Sequence, residues 1–398
     1  MLHNRKEVKD AASMLESYTS EGRPAQFYQE VGTLLESGEI NPESCSIREL
    51  FEAFVSDGSE LVENMNPRNR VNSVLLEAGD AVDTSRFSNI IGQITYSTTM
   101  AKLDGPEFIG RSLHKTVSSK TQEQEIIPGV SMIGDVAEDV GEGKAYPRVG
   151  VSEEWVTIPR KIKDGWILEI TEEAIFEDKT GLLLQRSNAA TESLGITWEK
   201  ELLDNALGIT TSYSRNGGAA QATYGDTHTQ GTFDNLAASN GLVDYTDIEA
   251  ATNLFDDITD PNTGEPVYLS GTLQIVVPTD LELTLLSILN ATEISTGDTT
   301  SATVPVTMAR NPLQAQNRRT YVPVTSQYVS ARTSSATTWF IGDFKGAFQY
   351  HENWPIQVFR MDRNSQEGFN RDVVTAIKVR RKGVPAVVEP RKVIKCTA

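Results

Sequence analysis

Cysteine and histidine are scarce: the 398-residue chain contains two cysteines and four histidines. Cys45 and Cys396 lie near opposite ends of the sequence, and two such thiols make neither a disulfide framework nor a metal cluster. We therefore expect both thiols to be free and reduced. No two histidines have the spacing of metal ligands, which argues against a histidine-based metal site.

Long apolar runs are also absent. The sequence has no stretch of about 18 uninterrupted apolar residues, and its first residues lack the apolar core of a secretory signal. These features predict no transmembrane helix, no membrane partner and residence in a cytoplasm. Hydrophobic residues make up 38% of the chain and charged residues 23%, a balance typical of folded proteins. The length is sufficient for two or three domains.

Signatures of catalysis are missing as well. The stretch Gly141–Lys144 lacks the first glycine and the final hydroxyl residue of a phosphate-binding loop, and no nucleophile elbow or dinucleotide-binding glycine motif occurs. Two weak metal candidates are a loop with Asp226 and His228 and a group of oxygen-bearing side chains, Asp256, Asp257, Asp260 and Asn262. We interpret them as a polar loop and a turn, because their spacing fits no metal motif. We predict no catalytic, cofactor-binding or metal-binding residues, no cofactor and no enzymatic activity.

Acidic side chains are in excess, and the net charge is −19. Residues 1–80 carry 15 acidic and seven basic side chains, whereas residues 371–398 carry eight basic and two acidic ones. A chain with this average charge does not attract nucleic acid indiscriminately. Two interpretations of the basic C-terminal segment stay open: a strand with solvated charges, or a face that meets acidic neighbours or DNA.

The first hundred residues show helical periodicity. Apolar residues recur at helical spacing around Phe27 and Val31, after the capping-box pattern of Ser46 and Glu49, and between 85 and 103 around Ile90. Such amphipathic helices need a partner surface, which is either a neighbouring subunit or the body of the chain. The polar stretch 104–128 shows no period and is predicted to be an extended arm.

The middle of the chain contains a predicted long hairpin and a predicted long helix. Two β-prone arms, around 130–140 and 149–162, flank the glycine-rich tip at 141–144, and their low apolar content predicts a hairpin that lies on another surface. Alternating apolar residues at 166, 168 and 170 predict a further strand. Residues 179–207 form the strongest helical pattern, about 40 Å long, and Gly208 is placed to end it.

The C-terminal half reads as a compact α/β unit followed by strands. An irregular loop over 209–243 precedes the unit, which comprises a helix over 245–257, a turn over 260–264, a strand over 273–277, a helix over 281–289 and a loop over 294–305. The strands that follow are predicted at 338–341, 347–350, 356–361, 373–379 and 386–388.

Four segments, in this order, are similar to segments of the major capsid proteins of tailed phages, the Hong Kong 97 phage fold. They are Ile170–Asp178, Leu273–Pro278 with Leu281, Phe340–Ala347, and Asp372–Val379 with Gly383 and Val387–Arg391. The resemblance spans residues 85–398. It implies an α+β, Hong Kong 97-like capsid fold with an N-terminal arm, extended hairpin loop, spine helix, peripheral domain and axial domain.

The resemblance also implies a division of the chain. Its parts are an N-terminal helical extension and arm (1–128), an extended hairpin (129–165), a peripheral domain with the spine helix (166–240), an axial domain (241–344) and closing peripheral strands (345–398). Contacts between axial domains would form capsomers, and the hairpin would lie across a neighbouring subunit. Residues 1–80 exceed a simple arm, and the resemblance leaves two alternatives for them: an internal scaffold that a protease removes, or a retained arm that clamps neighbours, which we expect.

The implied function is a non-enzymatic structural subunit that self-assembles into hexamers and pentamers of an icosahedral shell around double-stranded phage DNA. Expected partners are copies of itself, portal, scaffold and decoration proteins, and packaged DNA. The expected location is the virion capsid, assembled in the host bacterial cytoplasm. Two alternatives stay open: an encapsulin-like nanocompartment shell protein and, more remotely, a glycan-binding or hydrolytic β-protein.

Overall fold

The computed structural model of the chain describes residues 108–128, 154–177, 182–226, 233–260, 271–296, 307–313, 319–362 and 373–398, with shorter stretches within 14–33, 47–55, 62, 90–94, 140, 228, 264–269 and 371. The chain divides into two compact units. The first unit comprises Met1–Gly105, Lys163–Thr197 and Trp354–Lys382, and the second comprises Pro106–Ile162, Trp198–Asn353 and Gly383–Ala398.

Helices and strands are numbered in chain order over the described residues. The helices are α1 (Ile47–Phe54), α2 (Gly110–Leu113), α3 (Glu172–Glu177), α4 (Leu182–Ala206), α5 (Tyr245–Asp257), α6 (Glu282–Asn290), α7 (Gln327–Thr333) and α8 (Phe344–Ala347). The strands are β1 (Lys115–Ser118), β2 (Glu125–Pro128), β3 (Trp155–Ile158), β4 (Ile162–Thr171), β5 (Leu236–Ala237), β6 (Thr272–Val277), β7 (Glu293–Thr296), β8 (Thr307–Arg310), β9 (Thr320–Thr325), β10 (Trp339–Gly342), β11 (Phe348–Asp362), β12 (Val373–Val387) and β13 (Val393–Cys396).

The first unit is built on a sheet in which β12 lies between β4 and β11. Along β4 the burial alternates, and Ile170 is buried while Ile167 and Glu169 are exposed. This alternation confirms the strand predicted there, because successive side chains of a strand point to opposite faces. Ile170, Val374 and Ile377 face the core of this unit.

The helical N-terminal part supplies the other side of that core. Phe27, Ile47, Leu50 and Ile90 are fully or almost fully buried in the same cluster as Ile170 of the sheet. Helix α1 begins at the residue after Ser46, as its capping pattern predicts. Of the two partner surfaces left open by the sequence, these side chains pack on the body of their own chain.

A five-stranded sheet, in the order β5-β13-β10-β6-β9, divides the second unit into two cores. On β10, Phe340 enters one core while Trp339 and Ile341 enter the other, as the period of two requires. Helices α5 and α6 cover the Trp339 side, and the C-terminal part of α4 covers the Phe340 side. Each large apolar side chain buried in this way stabilises the fold by about 1.5–3 kcal/mol.

Several predicted elements are confirmed. Helix α5 spans Tyr245–Asp257 as predicted, and Asp244 and Asp247 form a capping box at its start. Helix α4 ends at Ala206, where the N–H groups of Gly208 and Ile209 donate to the carbonyls of Asn205 and Asp204. This is the Schellman arrangement that a C-terminal glycine predicts. Strand β6 and helix α6 also lie at their predicted positions.

A pair of strands, which we call the base of the hairpin, flanks the predicted tip: β2 ends directly before the predicted hairpin and β3 lies within its predicted second arm. β2 and β3 pair antiparallel, with Glu125 opposite Ile158 and Pro128 opposite Trp155. Val156 and Ile158 are buried in the core of the second unit, so this base is anchored in the fold. The predicted tip at 141–144 and most of both predicted arms lie outside the described residues.

Three predictions of local structure are wrong in part. The stretch 104–128 is not simply an extended arm: α2 precedes β1, β1 pairs in parallel with β11, and β2 pairs with β3. The predicted loop 294–305 begins with β7, which pairs with β8. β11 and β12 are single strands of 15 residues, although each was predicted as two. β11 continues past Pro355 and β12 continues past Pro385, because each strand is hydrogen-bonded to its neighbours in the sheet.

Among the described elements, those that the sequence did not predict include α3, β8, β9, α7 and β13. β13 pairs with β5, which lies inside the predicted loop 209–243. Among the helices of the described part, none is long and apolar enough to cross a membrane.

Candidate functional site

Three histidines in the described part are buried, and two of them, His114 and His228, make polar contacts within the fold, whereas neither ring nitrogen of His351 has a hydrogen-bond partner. His114 lies with Nδ1 2.8 Å from the Gly110 carbonyl, and burial lowers its pKa to about 4. His228 stacks on Phe233 with ring centroids 4.1 Å apart, and its Nε2 is 3.0 Å from the Asn235 side-chain oxygen. No group of three or more histidine, cysteine, aspartate or glutamate side chains could hold a metal among the described residues.

Two of the carboxylates considered as calcium ligands belong to different ion pairs. Asp260 is fully buried and pairs with Arg391 at 3.2 Å, whereas Asp256 is exposed and pairs with Arg319 at 3.1 Å. The N–H of Gly264 donates to the Asp260 carbonyl, which is consistent with the predicted turn. Asn262 lies outside the described residues.

Arg391 is the centre of a buried ionic group in the second unit. Its guanidinium also contacts the carboxylate of Glu389 at 2.7 Å, and all three charged side chains are at most 3% exposed. Burial alone would lower the pKa of Arg391, but the hydrogen bonds and charges of Glu389 and Asp260 outweigh it and raise that pKa. Asn235 lies close by, and its side chain donates to the Pro390 carbonyl at 3.0 Å.

A second ion pair stands at the base of the hairpin. The ammonium of Lys161, whose side chain is fully buried, contacts the Glu125 carboxylate at 2.7 Å, and the Ser119 hydroxyl donates to the same carboxylate at 2.6 Å. The hydrogen bonds from Lys161 and Ser119 lower the pKa of Glu125. These contacts connect β2 to the segments on either side of the hairpin.

The basic C-terminal segment contains two kinds of cation. Arg381 and Arg391 are buried in ion pairs, Arg381 with Asp164 at 3.0 Å. Lys378 and Arg380 alternate with the buried Ile377, Val379 and Arg381 along β12 and point to the opposite face of the sheet. The first open interpretation, a strand whose charges are all solvated, is therefore wrong for Arg381 and Arg391.

The outward cations sit over aromatic rings. We call this surface the basic–aromatic face; it belongs to the first unit and consists of Lys163, Trp354, Phe359, Lys378, Arg380 and Lys382. The Arg380 guanidinium lies 4.5 Å from the ring centre of Trp354 and 4.3 Å from that of Phe359. Contacts of this kind stabilise by about 0.5–1 kcal/mol each at exposed sites and hold the cations in place.

An apolar groove of about 250 Å³ continues this face. Ile167, Phe359 and Met361 line it, and Ile167 is 60% and Phe359 41% exposed. Arg371 and Glu169 stand at its edge as an exposed pair 3.7 Å apart. Sequence reasoning identified the cations of β12 but not Trp354, Phe359 or the groove. The alternation of cations at 378, 380 and 382 is the signal that could have located the face.

A family model described as "Phage capsid protein" matches residues 156–396 of this chain. No curated protein matches the chain. Solved structures with a similar fold include the capsid of Cyanophage Pam1, at 8% identity and a TM-score of 0.43, covering 71% of this chain and 88% of that one. Two others are a virus-like particle from Pyrococcus furiosus (11% identity, TM-score 0.42, 76% and 98% covered) and the mature capsid of bacteriophage PhiM1 (12%, 0.41, 72% and 86%).

The matched region begins in β3, at the base of the hairpin, and ends with β13. It therefore includes α4, the whole five-stranded sheet and the basic–aromatic face. The predicted function, a major capsid protein, is confirmed, and the encapsulin-like alternative is not favoured. The family model matches more than half of the chain, and the chain therefore belongs to the phage capsid protein family.

Proposed function

We propose that copies of this chain form hexamers and pentamers, and that these build an icosahedral shell enclosing double-stranded phage DNA. The observation that supports this proposal is the match to the phage capsid protein family over residues 156–396. A closed shell multiplies each modest subunit contact by symmetry, so no single interface has to be strong.

The proposed roles of the parts follow the division made from sequence. The axial domain, 241–344, makes contacts around the capsomer, and the hairpin, 129–165, lies across a neighbouring subunit. The anchored base of the hairpin supports this role, because the buried Val156 and Ile158 and the Lys161–Glu125 pair fix where the hairpin leaves the fold. The spine helix α4 belongs to the peripheral domain, made of 166–240 and 345–398, and residues 1–128 form the helical extension and arm.

The proposed partners include portal, scaffold and decoration proteins besides further copies of the chain and DNA. The chain resides in the virion capsid, and we propose that assembly takes place in the host bacterial cytoplasm. Membership of a capsid family indicates a structural role, and we propose that the chain catalyses no reaction.

The decisive experiment is the particle mass of the purified protein by light scattering, together with negative-stain microscopy of the same fraction. Closed shells or capsomer rings are the expected result. A monomer of 43.7 kDa at every concentration and salt condition, also in the presence of its scaffold partner, would contradict the proposal.

A further inference from the structure

The cations of the basic–aromatic face are held in a regular row. Lys378, Arg380 and Lys382 are alternate residues of one strand, so their Cα atoms are about 6.7 Å apart. The Gln357 side-chain oxygen accepts hydrogen bonds from Nε and Nη2 of Arg380 at 3.2 and 3.1 Å, which fixes the central guanidinium between the two rings. A row with restricted rotamers loses little conformational entropy when a partner binds.

This positive row stands out against the charge of the chain. The net charge is −19, and residues 1–80 alone carry eight more acidic than basic side chains. Two copies that present the same basic face to each other repel, whereas the basic face of one copy attracts acidic surface of another. Charge thus favours a heterologous contact, in which different surfaces of two copies meet, and repeated contacts of that type form a ring where the rotation between copies closes.

The groove beside the row favours a polypeptide as the partner. Ile167 and Phe359 leave an apolar depression next to Lys378, so a partner that fits both features carries carboxylates and apolar side chains together. A nucleic-acid backbone offers phosphates but no apolar group for the groove. The rings of Trp354 and Phe359 also have cations over them, which leaves them poorly available for base stacking.

We propose that the basic–aromatic face is the docking surface for an acidic segment of a second copy of this chain. The proposal rests on the proposed function, because it assumes that copies of the chain associate. It assigns the contact to Lys163, Lys378 and Arg380 together with the groove lined by Ile167 and Phe359.

The first test is assembly of a charge-reversed protein, Lys163→Glu with Lys378→Glu, followed by sedimentation velocity at increasing salt. The matched control is Lys120→Glu with Lys200→Glu, which makes the same change of net charge at exposed lysines of the second unit. We expect the apparent association constant of the face variant to fall by about tenfold or more, and that of the control to stay within about twofold. Equal assembly of the two variants would overturn the proposal.

The second test needs no substitution. Subunits labelled with heavy nitrogen are mixed with unlabelled subunits, assembled and treated with a carbodiimide, which joins an amine directly to a carboxylate. We expect cross-linked peptides of mixed label between Lys163 or Lys378 and an aspartate or glutamate of the other copy. Cross-links of these lysines only within one copy would overturn the proposal.

Further outcomes distinguish a nucleic-acid-binding surface, failure of this docking proposal and failure of the proposed function. If the unassembled subunit binds a double-stranded DNA fragment, and the face variant loses that binding while the control keeps it, the surface serves nucleic acid and the proposal is wrong. Shells that form normally from the face variant contradict this proposal and leave the proposed function intact. A wild-type protein that stays monomeric under every condition contradicts both.

Discussion

The guanidinium of Arg391 holds the carboxylate of Glu389 through two parallel contacts, Nε to Oε1 and Nη2 to Oε2, each 2.7 Å long. Nη1 of the same guanidinium donates to Asp260 at 3.2 Å. One cation thereby joins the turn after α5 to the segment before β13, although the two lie 131 positions apart in sequence. The arrangement is geometrically specific, because a planar guanidinium matches a carboxylate edge to edge.

Removal of this cation should be strongly destabilising. In Arg391→Met, two carboxylates stay buried without a counter-charge, and the free energy of unfolding should fall by about 3–5 kcal/mol. Urea unfolding of unassembled subunits measures the change. The control is Arg160→Gln, whose ion pair with Glu123 is largely exposed and should contribute less than about 1 kcal/mol. Similar losses in the two variants would show that the buried group contributes no more than a surface pair.

Gly208 should resist substitution more strongly than Gly217. Both have positive φ, +69° and +72°, so alanine strains the backbone by about 1–2 kcal/mol at either position. A Cβ at 208 would lie 2.5 Å from the Tyr224 ring, whereas a Cβ at 217 would meet nothing within 4 Å. The Tyr224 ring is fixed, since its hydroxyl donates to the Ala206 carbonyl at 2.7 Å.

Gly208→Ala should therefore lower the free energy of unfolding by about 1–3 kcal/mol more than Gly217→Ala. Thermal unfolding of the two variants side by side isolates the steric part, because the backbone strain is common to both. Equal midpoints would mean that Tyr224 moves aside without loss.

The elements that the sequence predicted well are those fixed by local chemistry. Helix α5 has its own capping pair, Asp244 and Asp247, and α4 has its terminating glycine, so their limits could be read from neighbouring residues. β6 was recognisable because it is short, apolar and ends before Pro278. The family resemblance depended on the order of such segments.

The remaining structure depends on contacts between distant residues. Pro355 interrupts the local strand signal of β11, yet pairing with neighbouring strands carries the strand through it. Composition likewise could not separate Arg381, buried beside Asp164, from Arg380, which lies over Trp354 and Phe359. The alternation of cations at 378, 380 and 382 indicates a basic face of β12, but the position of Trp354 and Phe359 beneath these cations depends on the pairing of β11 with β12.

The pKa of His114 should make the subunit less stable as the pH falls. The folded protein lowers this pKa from 6.5 to about 4, because burial disfavours the charged ring. The unfolded chain then binds more protons than the folded one between these two values, so stability is lost progressively as the pH falls from 6.5 towards 4. At pH 5 the loss from this group is about 2 kcal/mol.

The measurement compares the urea unfolding of wild type and His114→Gln at pH 7 and pH 5. The variant should lose less stability on acidification, while His228 and His351, whose pKa values burial also lowers, act equally in both proteins. Ring signals of His114 that titrate near pH 6.5 in the folded subunit, observed by NMR, would contradict the expectation.

Cys396 should be unreactive in the native protein. Its side chain is fully buried, and burial raises the pKa of the thiol, so the reactive thiolate is rare at neutral pH.

A Cys45→Ser variant leaves Cys396 as the single cysteine, and its reaction with an aromatic disulfide reagent can be followed by absorbance. The comparison protein carries Cys45→Ser, Cys396→Ser and Ala398→Cys, which moves the thiol to an exposed position two residues away. We expect native Cys396 to react more than about a hundredfold more slowly than this exposed thiol and to match it after urea unfolding. Equal native rates would mean that β13 readily opens away from its neighbours β5 and β10 in the five-stranded sheet.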